Sequence, residues 1–397
     1  MLRMVAPAGV AVGMRDMIRA AVRTAVPQTQ CDIEQRLATA LGAKRVWWTC
    51  SGRAALFFTL KALHVLRPDR HLVAIPAYTC YSVAAAVVRA GLKLKLIEIS
   101  PSLEPDYDSL QANGDERVLC IVTAGLFGVP DDVIKATRVA SRIGAFVIED
   151  IAQCLGASRQ GRPAGTTGDI AICSFGRGKP LPLGQGGAIV AHVEQVGDLI
   201  DGYFGQIEVQ RSNARAFLEV LLTSVFLRPS LYWIPDAMPF LKLGVSEFNP
   251  DFPVGRGTAF SNALGGDLFG RLESLRQARE VRARRLLEVL ANAQRFTAPS
   301  ISEDCVPNLL RLPVLASDSA TRTKAVAALR SRGIAAAILY PTAVCDIPGM
   351  APYMTDKTFH QLCAEGVAGR LFSLPTHPMV SEADINMIGE TLKELRA

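Results

Sequence analysis

Between about residues 45 and 200 the chain alternates short apolar runs with segments of helical spacing. The runs at 72–75, 92–99, 117–122, 145–148, 170–174 and 187–191 have strand length, and several are apolar at nearly every position. Helical patterns at 53–65, 81–90 and 131–142 separate them. A strand that is apolar throughout needs cover on both faces, and a helix between consecutive strands supplies that cover. The alternation predicts an α/β layer with a largely parallel sheet. Ligands of such sheets sit beyond the carboxyl ends of the strands, which makes the residues just after each strand the ones to inspect.

From about residue 256 the pattern changes. A long helical stretch at 258–293 carries Leu264, Leu268, Leu272 and Leu275, and is followed by a helix at 320–332, a strand at 334–339 and a terminal helix near 382–395. This predicts an N-terminal segment and large domain over 1–255, then a connecting helix and small domain over 256–397. The 397 residues carry 43 Lys and Arg against 37 Asp and Glu, a net charge of +6 with no long basic run. Such a charge suits a phosphate-bearing small molecule or an anionic membrane surface and calls for no nucleic acid. Nine cysteines, an odd number without a CxxC pair, read as reduced thiols; neither a disulfide framework nor a metal site is expected. With no convincing cleavable signal and no uncharged apolar stretch of spanning length, a cytoplasmic location is expected.

Three segments hold residues suited to chemistry. Residues 169–187 leave a strand at Ser174, enter a glycine-rich turn and present Lys179 in irregular backbone. A lysine held there suits an amine that condenses with a carbonyl, although a surface loop lysine fits the same letters. Residues 145–153 form an apolar strand ending in Glu149 and Asp150, with Gln153 beyond. A carboxylate so placed can hold the protonated nitrogen of a pyridine ring, or simply open a helix. At Cys50-Ser51-Gly52-Arg53 a helix begins: Ser51 is a good N-cap, Gly52 lets an anion approach the backbone, and Arg53 adds charge. The free amides of that first turn make a phosphate cradle, or an ordinary capped helix.

Taken together and in this order, the segments resemble the DegT/DnrJ/EryC1/StrS sugar aminotransferases, which are fold-type I pyridoxal-phosphate enzymes. The family shows Ser-Gly-Thr-Ala-Ala-Leu, Glu-Asp-x-Ala-Gln, and Ser-Phe-x-x-x-Lys followed by Gly-x-Gly-Gly. Here the matching residues are Ser51 to Leu56, Glu149 to Gln153, and Ser174-Phe175 with Lys179 and then Gly184 to Gly187. Ile75 to Cys80, Gly333-Ile334 with Tyr340-Pro341, and Leu374-Pro-Thr-His-Pro378 are similar to further family signatures, so the likeness runs from about 30 to 395. It implies a fold-type I PLP-transferase: a large domain with a mostly parallel seven-stranded sheet between helices, plus a smaller C-terminal α+β domain. It also implies pyridoxal 5'-phosphate as cofactor, a homodimer, and transfer of an amine from an amino acid to a keto-sugar that is most often nucleotide-linked.

Residue by residue, the resemblance implies that Lys179 holds the cofactor and moves the proton, and that Asp150 pairs with the ring nitrogen. Gln153 would contact the ring oxygen, Ser51, Gly52, Arg53 and Ser174 would surround the phosphate, and Arg256 would reach the phosphate of the neighbouring subunit. Cys80 stands where the family has a stacking aromatic, so either Tyr78 or Tyr81 covers the ring or that face is bare. The segment 217–241, FLEVLLTSVFLRPSLYWIPDAMPFL, lies in a stretch longer than the family usually has. It reads as packing at a subunit or domain interface, or as a patch for peripheral membrane contact that lies on a bilayer or receives a lipid-linked substrate. Two alternative functions follow: a PLP enzyme acting on a lipid-linked or non-sugar substrate, or a catalytically weak membrane-associated binding protein of the same fold.

Overall fold

The structure is a computed structural model that describes residues 3–25, 32–112, 115–207, 209, 212–238, 246–355 and 362–395. In chain order its strands are β1 Arg45–Thr49, β2 Leu72–Pro76, β3 Lys93–Ile97, β4 Val118–Ala124, β5 Phe146–Asp150, the two-residue ribbon β6 Ser158–Arg159 and β7 Arg162–Pro163, β8 Ile170–Ser174 and β9 Gly187–Ala191. Then follow β10 Phe296–Thr297, β11 Cys305–Val306, β12 Arg311–Ala316 and β13 Leu371–Pro375. Seven of them form one sheet in the order β1-β9-β8-β5-β4-β2-β3. β9 runs antiparallel to both of its neighbours, while β2, β3, β4, β5 and β8 pair in parallel.

The near-continuous apolarity of these strands has a direct cause. Ile170 and Ile172 of β8 and Ile189 and Ala191 of β9 pack on one face, with the helices Gly52–Leu66 and Tyr81–Arg89. Ala171, Cys173, Ala188 and Val190 point to the other face, against the helices Ile33–Leu41, Asn213–Phe226 and Ala259–Leu268. Both faces are therefore covered, as a parallel sheet between helices requires. A separate core joins the Leu272–Leu290 helix, β12, β13 and the Glu382–Glu394 helix.

Six strands lie within a residue or two of their expected positions, and three elements differ. β1 was not expected; its Arg-Val-Trp-Trp-Thr run matches neither strand template, and pairing with β9 makes it a strand. The expected strand at 334–339 is instead two isolated bridges, Ile334 with Val5 and Ala337 with Ser373. Each neighbour meets that segment at one residue, too few to build a ladder. The helix expected over 258–293 is divided by a 3-10 turn at Phe269–Arg271.

The N-terminal stretch is tied to the C-terminal core. Val5 donates to the Gly333 carbonyl at 2.8 Å, and Arg3 makes a paired contact with the Asp384 carboxylate at 2.6 and 2.8 Å. His377 Nε2 donates to the Ala6 carbonyl at 2.9 Å, which leaves Nδ1 buried without a partner among the described residues. A second proton at Nδ1 would be a buried donor with nothing to receive it, and burial pushes the His377 pKa down to about 4. Between pH 6.5 and 4 the unfolded chain takes a proton that the folded chain refuses. Stability is then lost as pH falls through that window, by about 3 kcal/mol at its lower end, and none is lost above neutrality. Urea midpoints at pH 7 and 4.5 should show this loss in the native chain and a shallower one in His377→Gln; equal slopes would refute it.

Candidate active site

The sheet register gathers three chain segments at one edge. Thr49 of β1 and Ser174 of β8 both pair with Gly187 of β9, and Asp150 closes β5. Just beyond β1, Ser51 takes extended backbone and its Oγ accepts the Ala54 N–H at 3.1 Å, capping the helix Gly52–Leu66. The first-turn amides of Gly52 and Arg53 are left for an anion. The approach is too close for side chains. A Cβ on Gly52 would stand 2.8 Å from the Ser174 Cβ, and one on Gly187 would stand 2.4 Å from the Ser51 carbonyl carbon.

A cleft of about 1190 Å³ opens at this edge and brings together Ser51, Gly52, Arg53, Asp150, Gln153, Ser174 and Lys179. Asp150 is the last residue of β5. One of its oxygens accepts the Ala152 N–H at 3.0 Å, and the other takes no hydrogen bond among the described residues. Burial raises its pKa, while the nearby charge of Lys179 pulls the other way. Glu149, beside it in sequence, points to the opposite face. It accepts the N–H groups of Gly165, Thr167 and Gly168 at 2.6–2.7 Å, so its role is to fix that loop. Gln153 accepts the Phe127 N–H at 3.1 Å and donates to the Tyr340 hydroxyl at 2.9 Å. Arg53 lies over the Phe252 ring at 5.0 Å, on the cleft wall.

The loop that carries Lys179 is held from a distance. Gly178 adopts φ +71°, a left-handed conformation natural to glycine. The buried Arg279 donates to the Pro180 carbonyl at 3.0 Å and to Asn308 Oδ1 at 2.8 Å, and Asn308 in turn donates to the Leu155 carbonyl at 2.8 Å. Burial pulls the Arg279 pKa down to about 10, and the group remains a cation at neutral pH. Arg279 was not anticipated as a positioning residue. Its signal was present, because it falls on the buried stripe Leu272, Arg279, Ala283, Leu286 and Leu290.

The expected ring cover is corrected by the structure: Tyr78 and Tyr81 do not line the cleft, whereas Cys80 does. The Tyr78 hydroxyl donates to the Tyr340 carbonyl at 3.2 Å, and the Tyr81 hydroxyl meets the Thr342 carbonyl at 3.0 Å. The two rings brace the Tyr340 segment, and Tyr340 itself reaches the cleft. Burial raises the Tyr340 phenol well above its ordinary pKa and keeps it protonated. Arg256 is exposed and lies outside this chain's own cleft. The described part of the 217–241 segment, which ends at 238, includes most of the helix Asn213–Phe226; residues 239–241 lie outside the described residues. Ala216, Val220 and Ser224 face the core, while Leu218, Leu222 and Phe226, at i+4 spacing, line the cleft. Among the described residues one group of three potential metal-ligand atoms, on Cys345, Asp346 and Glu365, lies within 4.8 Å, away from the cleft.

These residues fit a pyridoxal phosphate: a helix-end cradle too tight for side chains, a carboxylate with an uncommitted oxygen, and a lysine on the same cleft. Fold and site together define a pyridoxal-phosphate-dependent aminotransferase. The chain belongs to the DegT/DnrJ/EryC1/StrS aminotransferase family, whose model matches residues 15–204 and 255–393. It is 25% identical over 367 residues to the UDP-2-acetamido-2-deoxy-3-oxo-D-glucuronate aminotransferase of Pseudomonas aeruginosa, covering 90% of this chain and 88% of that one. It is 24% identical over 166 residues to the GDP-perosamine synthase of Vibrio cholerae, 42% of this chain and 45% of that one. Its fold is similar to that of Helicobacter pylori PseC, an aminotransferase involved in the biosynthesis of pseudoaminic acid, with TM-score 0.79, 16% identity and 99% of each chain covered. The stretch 205–254, which holds the apolar segment, falls between the two matched parts.

Proposed function

We propose that this enzyme moves an amine from an amino-acid donor to a keto-sugar, most simply one linked to a nucleotide. The observation that carries the reading is the cleft itself. It holds Lys179, Asp150 and the helix-end cradle in one cavity of about 1190 Å³, above the usual 300–1,000 Å³ of a small-ligand site. Arg53, Arg177 and Arg215 also line it, a charge suited to a diphosphate. The cofactor, when bound, supplies an electron sink. Lys179 Nζ takes the proton from the donor's α-carbon and returns it elsewhere. Asp150 holds a proton at the ring nitrogen, the Gly52 and Arg53 amides with Ser51 and Ser174 bind the phosphate, and Gln153 orients the ring through its oxygen.

The same reading has a cytoplasmic homodimer in which Arg256, exposed and with a side chain that makes no hydrogen bond or ion pair among the described residues, reaches the phosphate of a second copy. Its chain divides into 1–255 and 256–397. The apolar stripe Leu218, Leu222 and Phe226 favours a second reading of the acceptor, in which the keto-sugar carries a lipid. Among the described residues no helix is long and apolar enough to cross a membrane. The test is a two-step assay. Glutamate should bleach the visible band of the loaded enzyme, and one member of a panel of nucleotide-linked keto-sugars should restore it. Restoration by a lipid-linked ketone alone selects the second reading, and restoration by neither overturns both.

A further inference from the structure

Arg53 stands where the family has threonine in its Ser-Gly-Thr cradle, and it lines the cleft half-buried. Its guanidinium carbon lies 5.0 Å from the centroid of the Phe252 ring. Phe252 is buried, and a second guanidinium, that of Arg89, lies 4.8 Å from the same centroid. The two cations differ in their partners. Arg89 donates to the Pro250 carbonyl at 3.0 Å, meets the Asp251 carboxylate at 3.5 Å and lies 5.7 Å from the Phe57 ring. The Arg53 side chain makes no hydrogen bond or ion pair among the described residues. A guanidinium that packs on an aromatic ring keeps its N–H groups for other partners. Arg53 therefore brings to the cleft wall a cation without a counter-ion, and it shares its ring with a like charge.

The segment that carries Phe252 is pinned on both sides of the ring. Arg89 holds Pro250, and the Cys50 N–H, one residue before the cradle, donates to the Gly255 carbonyl at 2.9 Å. Phe252 itself falls in the stretch that the family model leaves unmatched. A planar fork of donors suits a phosphate group, which both the cofactor and a diphosphate-bearing acceptor would carry. We propose that Phe252 is a positioning residue: its ring, with Arg89 beside it, holds the Arg53 guanidinium on the cleft wall to receive a phosphate group. This rests on the transamination reading above.

The experiment measures affinity apart from turnover. Cofactor-free enzyme is titrated with pyridoxal phosphate and with pyridoxal, which lacks the phosphate; loaded enzyme is titrated with inorganic pyrophosphate in calorimetry. In Phe252→Leu the dissociation constant of a phosphate ligand should rise about 3- to 30-fold, while that of pyridoxal stays within about twofold. A rise for pyridoxal phosphate assigns the Arg53 side chain to the cofactor, and a rise for pyrophosphate alone assigns it to the acceptor. Phe252→Tyr keeps the ring and should restore native affinity. Arg53→Gln should show the same loss, and adding Phe252→Leu to it should change little further. Unchanged affinity for both phosphate ligands overturns the proposal, as does equal weakening of pyridoxal and its phosphate. So does a loss that Phe252→Tyr leaves in place, or one that persists in full on the Arg53→Gln background. Should Phe252→Leu fail to fold, Arg89→Gln, read alone and on Arg53→Gln, carries the same test with the same outcomes. If neither pyridoxal nor its phosphate gives the native enzyme a visible band, the transamination reading itself fails, and that result precedes any variant.

Discussion

Lys179→Ala should fold and should lose amine transfer by at least about 1000-fold, the contribution expected of a positioned proton carrier. Its side chain lines the cleft, and the backbone beneath it is fixed independently by Gly178, by the Arg279 contact to the Pro180 carbonyl and by the Lys179 N–H to the Gly176 carbonyl at 3.3 Å. Truncation therefore removes an amine and leaves the loop standing. The visible band of covalently held cofactor should be absent from the variant, while the urea midpoint should stay close to that of the native chain. A variant that keeps both colour and transfer would remove Lys179 from the reaction.

Asp150→Asn should leave the cofactor bound and slow the half-reaction with glutamate about 100- to 1000-fold. The phosphate cradle is built from Ser51, Gly52 and Ser174, none of which touches Asp150 in the hydrogen-bond network. Occupancy is therefore expected to survive the substitution. An amide cannot hold a proton at a ring nitrogen as a carboxylate does, and single-turnover bleaching reads that loss directly. Glu149→Gln provides the contrast. Glu149 accepts three backbone N–H groups from the 165–168 loop, so its loss should appear in stability first. A rate for Asp150→Asn within tenfold of native would count against the pairing.

Legibility in the sequence followed the range of the interactions. Asp150 could be read because it closes a strand whose apolar run is continuous, Lys179 because it lies in the loop after another, and the Ser51 cradle from its capping residues alone; the fold brings all three to one cleft. Arg279 acts on the Lys179 loop across 99 residues of chain; its place on an apolar helix stripe signals burial, and only packing reveals its contact with the Pro180 carbonyl. Tyr78 and Tyr81 were misplaced because sequence adjacency to Cys80 says nothing of direction. Cys80 is the N-cap residue of the helix Tyr81–Arg89 and faces the cleft, while the flanking rings turn toward Tyr340 and Thr342. The segment at 334–339 has the letters of a strand, but its ladder partners are single residues.

The helix Asn213–Phe226 belongs to the stretch that the family model leaves unmatched, yet it forms a wall of the same cleft that holds Lys179. Part of the cleft wall is thus written on a different length of chain from Lys179 and Asp150. On the proposed reading, exchanging the stripe at Leu218, Leu222 and Phe226 for another would retarget the enzyme to a new acceptor. The catalytic groups inherited from the family would not have to be reinvented.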